Sequence, residues 1–209
     1  MTLVALIDHG VGNLRSVEKA LVAVGAEVIL TREPDRIETA DKLVLPGVGA
    51  FGDCVSSLRE AGLTDVLQEM AQSRPMLGIC VGMQMLFESS SELGQHAGLC
   101  LVPGKVVGFD FPPDTMADGI CRVPHTGWNK LQPVRDTLLL DGIPSGSYAY
   151  FNHSYYCIPD NKDDVVACTD HGGEFSSVVA RGQIYGIQCH PEKSQEVGLH
   201  ILRNFVERG

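Results

Sequence analysis

Short apolar runs alternate with helix-period segments from Leu3 to Phe87, and that alternation does most to narrow the fold. Leu3 to Ile7 reads as a buried strand, and Asn13 to Val24 carries apolar residues at Leu14, Val17, Leu21 and Val24 before Gly25 stops the pattern. The unit recurs with Glu27 to Leu30, with Lys42 to Leu45 followed by a loop and helical patterns through Arg74, and with Met76 to Ile79 followed by Gly82 to Phe87. Strands covered on both faces read as unbroken apolar runs, so the pattern predicts an α/β three-layer sandwich with a largely parallel central sheet flanked by helices. From about Gly104 the texture turns β-rich: Lys105 to Phe109, Ser147 to Ile158, Val165 to Thr169, and a hairpin from Ser177 to Gln188 turning at Arg181-Gly182. Gln195 to Arg208 then reads as a closing helix. No repeat, low-complexity tract or linker interrupts the 209 residues, so the β-rich C-terminal extension is expected to belong to one domain, 1–209.

Composition excludes several classes. At 44% hydrophobic and 20% charged residues the chain has material for a sizeable core. The opening apolar run, Thr2 to Ile7, is too short and lacks the basic start of a signal peptide or membrane span, so a soluble, cytoplasmic protein is expected. Seven cysteines without a Cys-x-x-Cys pair argue for reduced packing thiols over a disulfide framework or a thiolate zinc site, and no metal or cofactor is expected. A net charge of -10, with the 16 Lys and Arg dispersed, speaks against nucleic acid or an anionic membrane as the ligand.

In such a sheet ligands bind at the carboxyl ends of the strands, where three loops are candidates. Gly47-Val48-Gly49-Ala50-Phe51-Gly52 formally matches a dinucleotide fingerprint, but it follows a later strand than the first, and the first loop, Asp8 to Asn13, lacks the third glycine. The remaining candidate is Gly78-Ile79-Cys80-Val81-Gly82. Small residues two before and two after a nucleophile permit a tight strand-to-helix turn that lifts the side chain out of the sheet. Cys80 is then expected to be exposed at a helix N-terminus that favours its thiolate, with the Val81 N–H aimed at a developing oxyanion. A small core thiol is the plain alternative; the two glycines favour the nucleophile.

A nucleophilic thiol needs a base. His190 follows the strand run Tyr185 to Gln188, and Pro191 biases it toward an extended conformation. By strand alternation residues 190 and 192 lean to one side, so Glu192 can accept the imidazole N–H and complete a Cys80, His190, Glu192 triad. A His-Pro-Glu tripeptide alone carries little weight; it gains weight beside the elbow.

Gly78-Ile79-Cys80-Val81-Gly82-Met83-Gln84, together with Gln188-Cys189-His190-Pro191-Glu192-Lys193-Ser194, resembles the triad glutamine amidotransferases. Within them, Asp8 to Asn13, Leu45 to Phe51, Pro124 to Asn129 and Tyr150 to Tyr156 resemble the glutaminase subunits of imidazole glycerol phosphate synthases. The resemblance implies that Cys80 attacks the glutamine side-chain amide, that His190 protonates the leaving ammonia and then activates water, and that Glu192 orients His190. It implies an oxyanion hole from the backbone of Val48, Gly49 and Val81, and glutamine binding by Gly47, Gln84, Ser154 and Tyr155. It further implies a (β/α)8-barrel cyclase partner, which uses the ammonia on a phosphorylated ribulose-containing nucleotide; Asn13, Trp128 and Lys193 are candidate interface residues.

Some positions depart from the family pattern: Val81 replaces a common leucine, Cys189 a usual phenylalanine, and Thr126 and Asn152 residues more often apolar. Strand alternation turns Cys189 into the core. Trp128 reads equally as an interface anchor or as an ordinary buried tryptophan, and Lys193 as a bridge to the partner or a solvated lysine. Val48 between two glycines leaves its peptide free to turn toward or away from Cys80, which allows an oxyanion hole completed by a loaded partner. Two other classes share these features: a cysteine hydrolase or peptidase of similar fold, and a catalytically silent binding or redox module.

Overall fold

Leu3–Ile7 forms strand β1 at the centre of a parallel set, pairing on one side with β2 (Glu27–Thr31) and on the other with β3 (Lys42–Gly47). The structure, a computed structural model, describes residues 1–111 and 121–209. Next to β3 lies β4 (Met76–Cys80), and next to β4, still parallel, lies β13 (Ile184–Ile187) from near the end of the chain. Val4 to Ile7 and Leu43 to Leu45 are fully buried, which is why these strands read as unbroken apolar runs. The connections carry α1 (Leu14–Ala23), α2 (Pro34–Glu38), α3 (Phe51–Glu60) and α4 (Thr64–Met70), while α5 (Val81–Met85) follows β4 and α6 (Gln195–Arg208) closes the chain. One face of each longer helix is apolar: Val17 and Leu21 in α1, Cys54, Val55 and Leu58 in α3, Ile201, Leu202 and Phe205 in α6. This is the α/β architecture with a largely parallel central sheet that the sequence predicts.

The β-rich half continues the same sheet in antiparallel fashion. β13 pairs with β12 (Glu174–Arg181) through the predicted hairpin, with Arg181 opposite Ile184. β12 pairs with both β10 (Tyr155–Pro159) and β11 (Val165–Asp170), and β10 with β7 (Val102–Gly108). β7 then pairs with β5 (Phe87–Ser90), and β5 with β6 (His96–Ala97) at the edge. A side branch carries β8 (His125–Pro133), bonded to β11 and to β9 (Ser147–His153).

Two local expectations change. The helix predicted for Gly82 to Phe87 stops at Met85, because Phe87, fully buried, opens β5 opposite Val102. The β-rich segment from Ser147 to Ile158 divides at Ser154, since β9 pairs with β8 whereas β10 pairs with β7 and β12. One strand is additional to those predicted: β8 carries no periodic apolar face and buries only His125 and Leu131. The two polar departures, Thr126 and Asn152, sit opposite each other in β8 and β9, and the Thr126 hydroxyl donates to Asn152 Oδ1 at 3.0 Å.

Candidate active site

Cys80 ends β4, and α5 begins at the next residue, so the chain reverses on this one side chain. It does so with φ of 56° and ψ of -116°, the left-handed region that a side chain enters only when its surroundings force it. The flanking glycines supply that force through close approach. A Cβ on Gly82 would lie 1.8 Å from the Leu45 carbonyl oxygen, and one on Gly78 would lie 2.6 Å from the Gly82 oxygen. Only bare backbone lets α5 press onto β3 and β4 at this turn.

Cys80 is not exposed, contrary to expectation. It is 3% exposed, at the floor of a cleft of about 280 Å³. The elbow does lift the thiol out of the sheet, but the segment after β9 and the loop after β13 wall it in, and both come from residues distant in sequence.

His190 stands on that wall with an extended backbone, φ -96° and ψ 98°, and its N–H donates to the Tyr150 oxygen at 2.8 Å. The following residues do not continue as a strand: Pro191–Lys193 make a 3-10 turn, so the shared orientation of 190 and 192 comes from a turn and not from strand alternation. His190 Nδ1–H donates to Glu192 Oε1 at 2.9 Å, which leaves Nε2 for Cys80. Burial disfavours the imidazolium, but hydrogen bonds and charge from Cys80 and Glu192 outweigh it and raise His190 to about 10. Burial likewise pushes Glu192 up, yet the His190 hydrogen bond and charge hold its carboxyl below the usual range.

The backbone opposite Cys80 is gripped from two sides. Gly47 lies in register with Cys80, and the preceding carbonyl, Pro46, accepts from His9 Nε2–H at 2.8 Å. The Val48 carbonyl accepts from the Cys54 thiol at 3.3 Å, and burial above all raises Cys54 to about 12, so it remains a donor. The next peptide N–H, that of Gly49, therefore points away from α3. Gly49 itself has φ of 92°. Val48, Gly49 and Val81 all line the cleft.

Gln84, Ser154 and Tyr155 line it too. Gln84 Nε2 donates to the Tyr155 carbonyl at 3.0 Å and to Gln188 Oε1 at 3.1 Å, and Gln188 Nε2 reaches Cys80 Sγ at 3.7 Å. With both amide hydrogens spent, Gln84 can offer a ligand only its carbonyl oxygen. Glu92, Pro124, Asn152 and His153 also line the cleft, and sequence reasoning missed all four. Glu92 accepts from the Phe51 N–H at 2.6 Å, but it lies in a polar Ser-Ser-Ser-Glu stretch that carries no signal. Ser194 was missed as well: its hydroxyl donates to the His190 carbonyl at 2.7 Å and accepts from Tyr150 N–H at 2.9 Å, pinning the His190 loop to β9.

The three interface candidates separate. Trp128 is 46% exposed on β8, edge-on to Tyr150 at 6.0 Å, so it is not a buried core tryptophan. Lys193 lines the cleft with its Nζ 5.5 Å over the Tyr150 ring. Asn13 turns inward, its Nδ2 donating to Glu192 Oε1 at 3.3 Å.

A family model described as Glutamine amidotransferase class-I matches residues 5–208. The chain is 45% identical over 206 residues to "Imidazole glycerol phosphate synthase subunit HisH" of Sulfurimonas denitrificans, covering 98% of each chain. It is 46% identical to the protein of that name from Salinibacter ruber, over 98% of this chain and 94% of the other. Among solved structures, "Crystal structure of glutamine amidotransferase" superposes with a TM-score of 0.74 at 19% identity, covering 97% of this chain and 98% of that one. "Structure of PurLQS from Thermotoga maritima" gives 0.75 at 17%, covering 98% of each. Matched nearly end to end in both sequence and fold, the chain belongs to the class-I glutamine amidotransferases, and within them to the family of the HisH subunits of imidazole glycerol phosphate synthase.

Proposed function

We propose that this chain, acting as one domain over residues 1–209, hydrolyses glutamine to glutamate and ammonia through a cysteinyl thioester. It hands the ammonia to a (β/α)8-barrel cyclase subunit that makes imidazole glycerol phosphate for histidine biosynthesis in the cytoplasm. The observation that carries the chemistry is the strained Cys80 at the cleft floor, beside an imidazole whose other nitrogen is held by Glu192. The relatives named HisH carry the assignment to this synthase.

Glutamine enters with its side-chain amide over Cys80. The thiolate adds to the amide carbon and the carbonyl π pair moves onto oxygen, where the Val81 N–H and the Val48–Gly49 backbone stabilise it. His190 passes its Nε2 proton to the amide nitrogen, the C–N bond breaks, and ammonia leaves a thioester. Having given up its proton, His190 is neutral, and consuming the thiolate removes the Cys80 share of the hydrogen bonding and charge that raise it, so the ring is free to act as a base while Glu192 still supports its reprotonation. Nε2 then takes a proton from water as the hydroxide adds to the thioester, and collapse expels Cys80 as thiolate and releases glutamate. Gln84, Ser154 and Tyr155 hold the amino-acid end of the substrate. Trp128 and Lys193 meet the cyclase, and Asn13 serves it indirectly through Glu192.

Glutamate formation, measured with and without a cyclase subunit and its nucleotide substrate, tests this reading. Turnover should rise with the loaded cyclase and vanish in Cys80→Ala. Absence of glutamate formation by the wild-type chain in both conditions overturns it.

A further inference from the structure

Two buried histidines outside the triad form a directed chain of hydrogen bonds that ends on the proposed glutamine site. His125, in β8, places Nδ1 3.0 Å from His153 Nε2, in β9, and the two residues are opposite each other in the register. Both are almost wholly buried. The proton positions follow from the ends. Asn129 Oδ1 accepts from the Lys130 N–H at 2.8 Å, so its Nδ2 is the nitrogen that donates to the Asp170 carbonyl at 2.9 Å and to His125 Nε2 at 3.1 Å. His125 Nε2 is therefore an acceptor, its Nδ1 carries the proton, and His153 Nε2 receives it. At the far end His153 Nδ1 faces the Tyr155 carbonyl at 2.8 Å, which can only accept. Both ends thus demand the same single arrangement, with each ring neutral.

We propose that His125 and His153 are positioning residues for glutamine: their chain holds the Tyr155 carbonyl, and with it Gln84 and the Ser154–Tyr155 segment, in the shape that receives the substrate. The same carbonyl accepts from Gln84 Nε2 at 3.0 Å, and His153 itself lines the cleft. An added proton on either ring would put two N–H groups face to face, and burial lowers His125 to about 4 and His153 to about 3, so the rings stay neutral at working pH. His125 is further locked by stacking on His171, with ring centroids 4.0 Å apart. The inference rests on the glutaminase reading of the cleft.

Two variants of His125 and the ring protons of the wild type test it. His125→Phe keeps an aromatic ring but removes the donor, and should raise KM for glutamine about tenfold with a smaller change in kcat, the cost of one lost hydrogen bond. His125→Asn restores an N–H near the Nδ1 position and should recover most of that loss, whereas a merely structural role would lower thermal stability without this split. Nitrogen-15 NMR of the wild type should find His153 protonated on Nδ1 and His125 on Nδ1. An unchanged KM in folded His125→Phe, equal impairment in both variants, or His153 protonated on Nε2 overturns the proposal. A wild type without glutaminase activity would instead overturn the function, and the NMR assignment would still judge the chain of hydrogen bonds.

Discussion

Asn13 Nδ2 stands 3.3 Å from the Glu192 oxygen that also receives the His190 imidazole, tying the first βα loop to the carboxylate of the proposed triad across 179 positions of sequence. The other carboxylate oxygen, Oε2, is buried with no partner among the described residues. Asn13 is therefore one of few groups that stabilise this buried charge. Asn13→Ala should cost roughly 1 kcal/mol in the barrier, about a fivefold fall in kcat, with KM for glutamine little changed. Asn13→Asp should cost more, because it sets a second negative charge against the first. Steady-state kinetics in the presence of the partner subunit decides it, and a rise in KM alone would remove Asn13 from support of the proposed triad.

Close approach at the elbow predicts a stability effect. Gly82→Ala brings a methyl group within 1.8 Å of the Leu45 carbonyl oxygen, and that atom is backbone in a fully buried strand. Relief requires moving α5 or β3, at about 3 kcal/mol or more. For a chain of this size that lowers the melting temperature by about 6–12 °C. Gly10→Ala, where the added Cβ meets nothing within 4 Å but φ is 91°, should cost less. Thermal unfolding of the two variants compares them, and equal losses would mean that backbone conformation, not packing, dictates the glycine at 82.

What could be read in advance follows from where each signal resides. β1, β3 and β4 are buried on both faces, so their residues announce them, and α6 falls at its expected bounds because its apolar stripe and the preceding turn are local. β8 was invisible because its partners are β9 and β11, and neighbours of that kind dictate its extended shape without any apolar alternation of its own. The proposed nucleophile Cys80, base His190 and orienting carboxylate Glu192 stand out through their immediate neighbours. Their burial does not, since the walls over Cys80 come from residues near 154 and 190. His153 sat within a recognised motif, but its role depends on His125, and only the β8–β9 register brings the two together.

Acid should destabilise the fold through those same imidazoles. Burial lowers His125 to about 4 and His153 to about 3 from 6.5, so between these values the unfolded chain binds protons that the native chain refuses. Stability from this source is complete above about pH 6.5 and falls as the pH drops toward the folded values. Urea unfolding midpoints across that range should decline more steeply for the wild type than for His125→Asn, which has one fewer group to protonate. Parallel curves would show that other groups govern acid sensitivity.

Glu192→Gln should be milder than a substitution that removes the hydrogen-bond acceptor for His190 altogether. Both donors to Glu192, His190 Nδ1–H and Asn13 Nδ2, converge on Oε1, and Oε2 has no partner among the described residues. A glutamine can keep its oxygen toward both donors and put its nitrogen where Oε2 was, so the imidazole keeps its orientation and loses only the charge. The rate should then fall by about 10- to 100-fold, as for a charged hydrogen bond made neutral. A loss of four orders of magnitude would mean that the imidazole had turned.

Shape and ionisation predict which thiol reacts. Cys100 is the exposed cysteine, while Cys80 is reached only through the cleft. Burial raises the thiols of Cys157 and Cys189 well above the ordinary range and Cys54 to about 12, so these stay protonated and unreactive at neutral pH. A small general alkylating reagent should therefore modify Cys100 readily. A glutamine-shaped electrophile, held by Gln84 and the Tyr155 segment with its reactive carbon at the elbow, should modify Cys80 in preference to Cys100. Excess glutamine should protect Cys80 and leave Cys100 untouched, because only Cys80 lines the cleft proposed to bind the substrate. Peptide mapping after each treatment distinguishes the cases. Labelling by the glutamine-shaped reagent at Cys54 or Cys189, or protection of Cys100 by glutamine, would move the nucleophile away from the turn at residue 80.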